Sequence, residues 1–272
     1  MSTPKEYENS RFLTSRDARV IRIISEYLEP QSRMRRAGIR STVVFFGSAK
    51  SMSLEEAQDR FGPAASGRDD AASSQDVERA AKQIRLARYY DDARELARRL
   101  TLWCKEKAAT GDLVVCSGGG PGMMEAANRG ASEAGGKSIG LNISLPGEQE
   151  PNRFVTPGLS IECHYFFMRK LWFMYLARAL VVFPGGFGTM DELFEVLTLT
   201  QTRKVDRPVP VIVYGRDYWQ DTINFEKFVE WGTINASDLD LFHLVDDVDE
   251  ALRLLTSLLP VKKRGRTGRG RS

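Results

Sequence analysis

Short apolar runs and longer periodic stretches alternate along most of the chain. Thr42 to Phe46, Leu113 to Cys116, Ser138 to Ile143, Leu180 to Phe183 and Val209 to Tyr214 are too short and too uniformly apolar for amphipathic helices, and read as strands buried on both faces. Between them apolar residues recur every three or four positions. Ile84, Leu86, Tyr90, Leu96, Leu100 and Trp103 mark a long helix over Val77 to Ala109, stopped by Thr110-Gly111-Asp112. Met123 to Ala134, Phe166 to Ala177, Phe225 to Trp231 and Val248 to Leu259 read as further helices. Ahead of the first strand, Ser15 to Leu28 sets Val20, Ile21, Ile24 and Leu28 at helical spacing, and Pro30 is expected to end that helix. Strand and helix in turn predict an α/β fold: a Rossmann-like, doubly wound, mostly parallel sheet with helices on both faces.

The pattern divides the chain into three parts. Residues 1–40 form a helical extension, 41–260 a Rossmann-like nucleotide-binding catalytic domain, and 261–272 a basic tail expected to be disordered. Within the domain, residues 50–76 are small and polar, and read as a mobile surface insertion. A proline- and glycine-punctuated stretch, Ser144 to Gly158, reads as a lid-type loop.

Two strands run directly into glycine-rich turns. After Leu113 to Cys116 comes Ser117-Gly118-Gly119-Gly120-Pro121-Gly122, and after Leu180 to Phe183 comes Pro184-Gly185-Gly186-Phe187-Gly188-Thr189. In a doubly wound sheet both fall on the carboxyl edge, where ligands bind. Free backbone amides and the positive end of the following helix suit a phosphate there. Thr189 is the expected N-cap of the second helix, and Asp191 and Glu192 fall in what reads as its first turn. Neither turn has the GxGxxG spacing of a dinucleotide site, and no GxxxxGK[ST] triphosphate loop is present. A single phosphate carrying a nucleoside fits the two turns better.

Composition narrows the classes further. The chain has 272 residues, 42% of them hydrophobic, enough for a sizeable core. No apolar run reaches the roughly 20 residues that span a bilayer, and the N-terminal residues lack the apolar core of a signal peptide, so a cytoplasmic protein without membrane contact is expected. Three cysteines in no metal-ligand spacing argue against a disulfide framework or zinc, and read as small buried residues. The net charge of +3 is set by the tail, Lys262 to Arg271, which has no acidic residue.

Gly118 to Met124, Phe166 to Lys170 (FFMRK) and Pro184 to Glu192 (PGGFGTMDE) together resemble the LOG family of cytokinin riboside 5′-monophosphate phosphoribohydrolases. The likeness covers most of Thr42 to Tyr214. It implies a Rossmann-like fold, dimers or higher homo-oligomers, and hydrolysis of the N-glycosidic bond of a nucleoside 5′-monophosphate, with AMP or a related purine monophosphate as substrate. It implies catalytic roles for Glu192 and Arg169. Substrate binding would fall to Gly118, Gly119, Gly120, Glu148, Lys170, Gly185, Gly186, Gly188, Thr189 and Asp191, with no cofactor and no metal. Neighbours on a helix diverge by about 100°, so of Asp191 and Glu192 only Glu192 is expected to face the ligand. His164 is read as a packed residue outside the chemistry. Many members carry a lysine decarboxylase label, but no residue pattern here marks a pyridoxal phosphate site. The alternative reading is a binding protein for nucleotide or single-stranded nucleic acid, its arginine- and glycine-rich tail making weak, salt-sensitive phosphate contacts.

Overall fold

The computed structural model describes residues 5–66, 73–106, 113–144, 150–205, 207 and 209–259. The tail, the helix stop at 110–112 and the centre of the lid-type loop at 145–149, which carries Glu148, lie outside them. Seven strands form one sheet in the order β4-β3-β2-β1-β5-β6-β7, and every pairing is parallel. They are β1 (Ser41–Phe46), β2 (Leu113–Ser117), β3 (Ser138–Ile143), β4 (Ser160–Cys163), β5 (Ala177–Val182), β6 (Val211–Tyr214) and β7 (His243–Val245). The edge strands β4 and β7 have no counterpart in the sequence reading.

Alternate residues of each central strand serve opposite cores. Val43 and Phe45 of β1 enter one core with Val181 and Phe183, beneath α4 (Ser74–Glu106), α5 (Met123–Glu133) and α10 (Val248–Leu258). Val44 and Phe46 enter the other with Leu180 and Val182, beneath α6 (Phe166–Tyr175) and α7 (Phe187–Gln201). Burial on both faces explains the unbroken apolar runs. The strand order reverses at β1, which lies between β2 and β5. The three turns that follow these strands therefore meet at one edge.

The segment read as a mobile insertion contains a helix, α3 (Leu54–Ala65). Ser53 caps it, accepting from the Glu56 amide at 3.2 Å, and the Leu54 amide donates to Asp91 of α4 at 3.0 Å. Residues 67–72 of that segment lie outside the described residues.

The N-terminal helices are α1 (Ser10–Leu13) and α2 (Arg19–Arg36), and α2 continues through Pro30. A proline inside a helix removes the donor that its i−4 carbonyl would receive. Here that carbonyl is on Glu26, and the Trp172 indole of α6 donates to it at 2.8 Å. The Glu26 carboxylate also accepts from the His164 and Tyr165 amides, at 2.8 and 3.2 Å, just ahead of α6. Tyr27 stacks on Trp172. The face of α2 that docks is thus the one carrying Glu26, Tyr27 and Pro30. Val20, Ile21, Ile24 and Leu28, the stripe picked out by periodicity, are exposed in the chain. Two short helices, α8 (Arg216–Thr222) and α9 (Phe225–Glu230), complete the order. Among the described residues no helix is long and apolar enough to cross a membrane.

Removing the Glu26 carboxylate leaves two amide donors without their acceptor. Hydrogen bonds to charged groups contribute about 1.5–3 kcal/mol, so Glu26→Ala should lower stability by about 2 kcal/mol, measured as a lower urea midpoint at unchanged slope. Glu26→Gln, which keeps one acceptor oxygen, should lose less.

Candidate active site

A cavity of about 650 Å³ opens at the reversal point. Its walls come from the turn after β1 (Gly47 to Lys50), the first glycine turn (Gly118 and Gly120), the end of β3 (Asn142 and Ile143), α6 (Arg169 and Phe173) and the start of α7 (Gly186, Gly188, Thr189 and Glu192). Ser48 ties these turns together. Its amide donates to the Pro184 carbonyl at 2.9 Å, and its carbonyl accepts from the Met123 amide at 3.0 Å. Gly122, at φ +69°, passes so close that a Cβ would collide with the Ser48 carbonyl. Only glycine meets both demands.

Helix α7 begins earlier than the sequence suggests. Gly186 is its N-cap, and the amides of Thr189 and Met190 donate to the Gly186 carbonyl at 3.0 and 3.1 Å. Thr189 is thus inside the first turn, not the cap, and its side chain folds back over Gly185, where a Cβ would strike its hydroxyl. The helical register leaves the Phe187 and Gly188 amides without intrahelical acceptors. Gly186 and Gly188 line the cavity, and a Cβ at either would meet only open space.

Moving the helix start to Phe187 places Asp191 and Glu192 in the second turn. Gly188 and Glu192, four residues apart, share a face, and both line the cavity. Glu192 is 6% exposed. Burial pushes its carboxyl up to about 7 against the pull of the Lys170 ammonium, with Glu195 adding to the rise and Arg169 opposing it. Asp191 is 60% exposed and turns away to Lys170, at 2.8 Å. Lys170, Asp191, Gly119 and Gly185 are not among the cavity-lining residues.

Arg169 reaches in from the opposite wall. Its Nε donates to the Leu141 carbonyl at 2.8 Å, and its guanidinium lies over the Phe173 ring. A Cβ at Gly118 would come within 2.5 Å of its Nη2, so glycine there makes room for the arginine. Burial pulls the guanidinium down from its ordinary value, and the Glu192 carboxylate pushes back. Among the described residues neither Nη has a hydrogen-bonded protein acceptor.

The second wall rests on a buried polar network. Asn152 donates to the Gly119 and Gly120 carbonyls and to Asn128 at 2.9–3.0 Å, and Ser117 bridges Asn128 to the Gly119 amide. Gly119, at φ +74°, approaches Asn142 too closely for a side chain. His164 is exposed, edge-on to Tyr165, rather than packed. All three cysteines are buried, and burial pushes the Cys163 thiol up to about 11 and Cys116 higher, so neither Cys163 nor Cys116 is a thiolate near neutral pH. Among the described residues no cluster of three or more His, Cys, Asp or Glu is placed to hold a metal ion.

A family model described as "possible lysine decarboxylase" matches residues 124–255. Over 148 residues the chain is 31% identical to the probable cytokinin riboside 5′-monophosphate phosphoribohydrolase LOG6 of Arabidopsis thaliana, covering 54% of this chain and 70% of that protein. The chain belongs to the LOG family. Rice LOG4, a probable enzyme of the same name, is 29% identical over 145 residues, 53% of this chain and 62% of that protein. The Escherichia coli K12 pyrimidine/purine nucleotide 5′-monophosphate nucleosidase is 26% identical over 167 residues, 58% of this chain and 37% of that protein. The chain thus spans less than two thirds of either of these two relatives.

Within this LOG-family cavity, several lining residues escaped the sequence reading: Ser48, Lys50, Asn142, Ile143, Met124 and Phe173. The turn after β1, Gly47-Ser48-Ala49-Lys50, was the available signal, since it too follows an apolar strand directly.

Because the folded state raises the Glu192 pKa above its ordinary 4.5, the protonated carboxyl stabilises the fold at low pH. That contribution is fully present below about 4.5 and is lost as pH rises through about 7. The full swing is roughly 3 kcal/mol, at about 1.4 kcal/mol per pH unit. Glu192→Gln should remove it, so the variant should gain stability relative to wild type between pH 4 and pH 8 in urea titrations. Parallel pH profiles would place the Glu192 carboxyl in a solvated setting.

Proposed function

We propose that the chain hydrolyses the N-glycosidic bond of a purine-type nucleoside 5′-monophosphate, such as AMP or a cytokinin riboside monophosphate, to the free base and ribose 5-phosphate. The observation that carries the reading is a buried carboxylate, Glu192, one helical turn beyond the open amides of Phe187 and Gly188 and facing the same cavity as Arg169. The names of the plant and bacterial relatives support the same reaction class.

In this reading the 5′-phosphate sits on the Phe187 and Gly188 amides and the Nη groups of Arg169, an anion site at a helix N-terminus. Four residues of helix rise about 6 Å, which carries Glu192 from the phosphate toward the sugar. As the C1′–N bond breaks, positive charge builds on the ribose, and a carboxylate beside it lowers the barrier. Water attacks C1′. Glu192, near 7, takes a proton from that water, and the proton goes finally to the departing base. Binding energy from the phosphate holds the sugar in place for this step.

The same reading takes the chain as a homodimer. Phe167, Leu171 and Tyr175 recur every fourth residue on α6 and are exposed, as are Phe194 of α7 and the apolar stripe of α2. A two-fold interface through α6 and α7 would cover much of this surface.

A panel of nucleoside monophosphates, assayed for free base, tests the activity directly. Glu192→Ala should cut turnover at least ~10²-fold, the scale of losing one key electrostatic group, and the wild-type rate should fall on the acid side as Glu192 takes up a proton. Arg169→Ala should weaken binding of the monophosphate far more than of the free nucleoside. Light scattering at micromolar concentration should give twice the chain mass, and a fully active monomer would refute the assembly.

A further inference from the structure

Lys170 follows Arg169 in sequence but points to the other side of α7. Its ammonium lies 2.8 Å from Asp191, 2.7 Å from Glu195 and 3.5 Å from Glu192. On α7, Asp191 and Glu195 are i and i+4, and Glu192 and Glu195 are i and i+3, so the three carboxylates form one triangle of the helix surface. The ammonium fills its centre. Lys170 is 18% exposed on its side chain and does not line the cavity, whereas Arg169 and Lys50 line it together with Glu192.

We propose that Lys170 is a positioning residue for Glu192: held by Asp191 and Glu195, it fixes the carboxylate's orientation and its charge, and does not touch the substrate. The inference rests on the glycosidase reading only where it concerns turnover. Burial opposes ionisation of Glu192, and Asp191 and Glu195 on the same helix oppose it too. Lys170 and Arg169 favour it, Arg169 from among the cavity-lining residues and Lys170 from outside them. Lys170 itself is held protonated: its partial burial pulls its pKa down, but the hydrogen bonds to Asp191 and Glu195 outweigh that and raise it. Its opposing neighbours give the arrangement two testable directions. Loss of the ammonium leaves three carboxylates facing one another and should push the Glu192 midpoint up. Loss of the Glu195 charge removes a repulsion and frees Lys170 for Glu192, and should push it down.

The experiment follows Glu192 itself by carboxyl ¹³C NMR in ligand-free protein, its resonance assigned with Glu192→Gln, alongside the pH dependence of base release from AMP. Lys170→Met should raise the Glu192 midpoint by about one pH unit or more, a tenfold change in acid constant. Glu195→Gln should lower it, and Lys170→Arg, which keeps the charge, should stay near wild type. On the alkaline side of the transition, KM for AMP in Lys170→Met should stay within about twofold while the acid limb of kcat moves with the NMR midpoint. A midpoint unmoved in Lys170→Met, or a tenfold rise in KM with the limb unmoved, would overturn the proposal and make Lys170 a substrate anchor. Should Lys170→Met fail to fold, the direction of the Glu195→Gln shift decides. Movement of the NMR midpoint without any base release from AMP would count against the glycosidase reading alone.

Discussion

The backbone of Ser48 holds the candidate site together. Two residues past the end of β1, it donates its amide to the Pro184 carbonyl after β5, and its carbonyl accepts from the Met123 amide that opens α5 after β2. It therefore clamps both glycine turns at the point where the strand order reverses. Parallel strands place their carboxyl ends together, but they do not fix the spacing between the loops that follow. Two hydrogen bonds from one residue do. Gly122 is the cost of that arrangement, since any side chain there would push Ser48 out of place. The backbone of three turns thus sets the spacing of the cavity, and the two charged side chains central to the candidate site, Arg169 and Glu192, are presented into it from α6 and α7.

The burial of Glu192 shows why the neighbouring charges matter. A carboxyl at 6% exposure beside Glu195 and Asp191 would remain neutral well above its ordinary range if nothing opposed it. The two cations of α6 bring it back to about 7, a value suited to taking a proton near neutrality. The consecutive residues Arg169 and Lys170 divide this task by helical geometry. The first lines the cavity, and the second pairs with the carboxylates of α7.

The central fold was readable because burial on both sides leaves a simple mark: β1, β2, β3, β5 and β6 are apolar runs between periodic stretches. The edge strands β4 and β7 were not, because an edge strand pairs on one side only and tolerates residues such as Glu162 and His243. Helix α3 had a signal in Ser53-Leu54-Glu55-Glu56, a capping pattern, but the small and polar residues around it suggested loop. Both glycine turns were evident from spacing, whereas Asn142 and Asn152 reach the site only through tertiary contacts. The facing of α2 was hidden for a different reason. Periodicity identifies an apolar stripe, but it does not say whether this chain or another molecule covers it.

Pro30 illustrates how a break in one helix can serve as recognition for another. An uninterrupted α2 would spend the Glu26 carbonyl on its own hydrogen-bond ladder and offer Trp172 nothing. With the proline in place, one acceptor stands vacant at a fixed height along the helix, and a single indole on α6 finds it. A vacancy of this kind works as an address: it selects one register and one rotation of α2 out of the many that a greasy stripe would accept. The N-terminal segment is therefore joined to the domain by a specific lock, which a different amphipathic helix of equal hydrophobicity would not open.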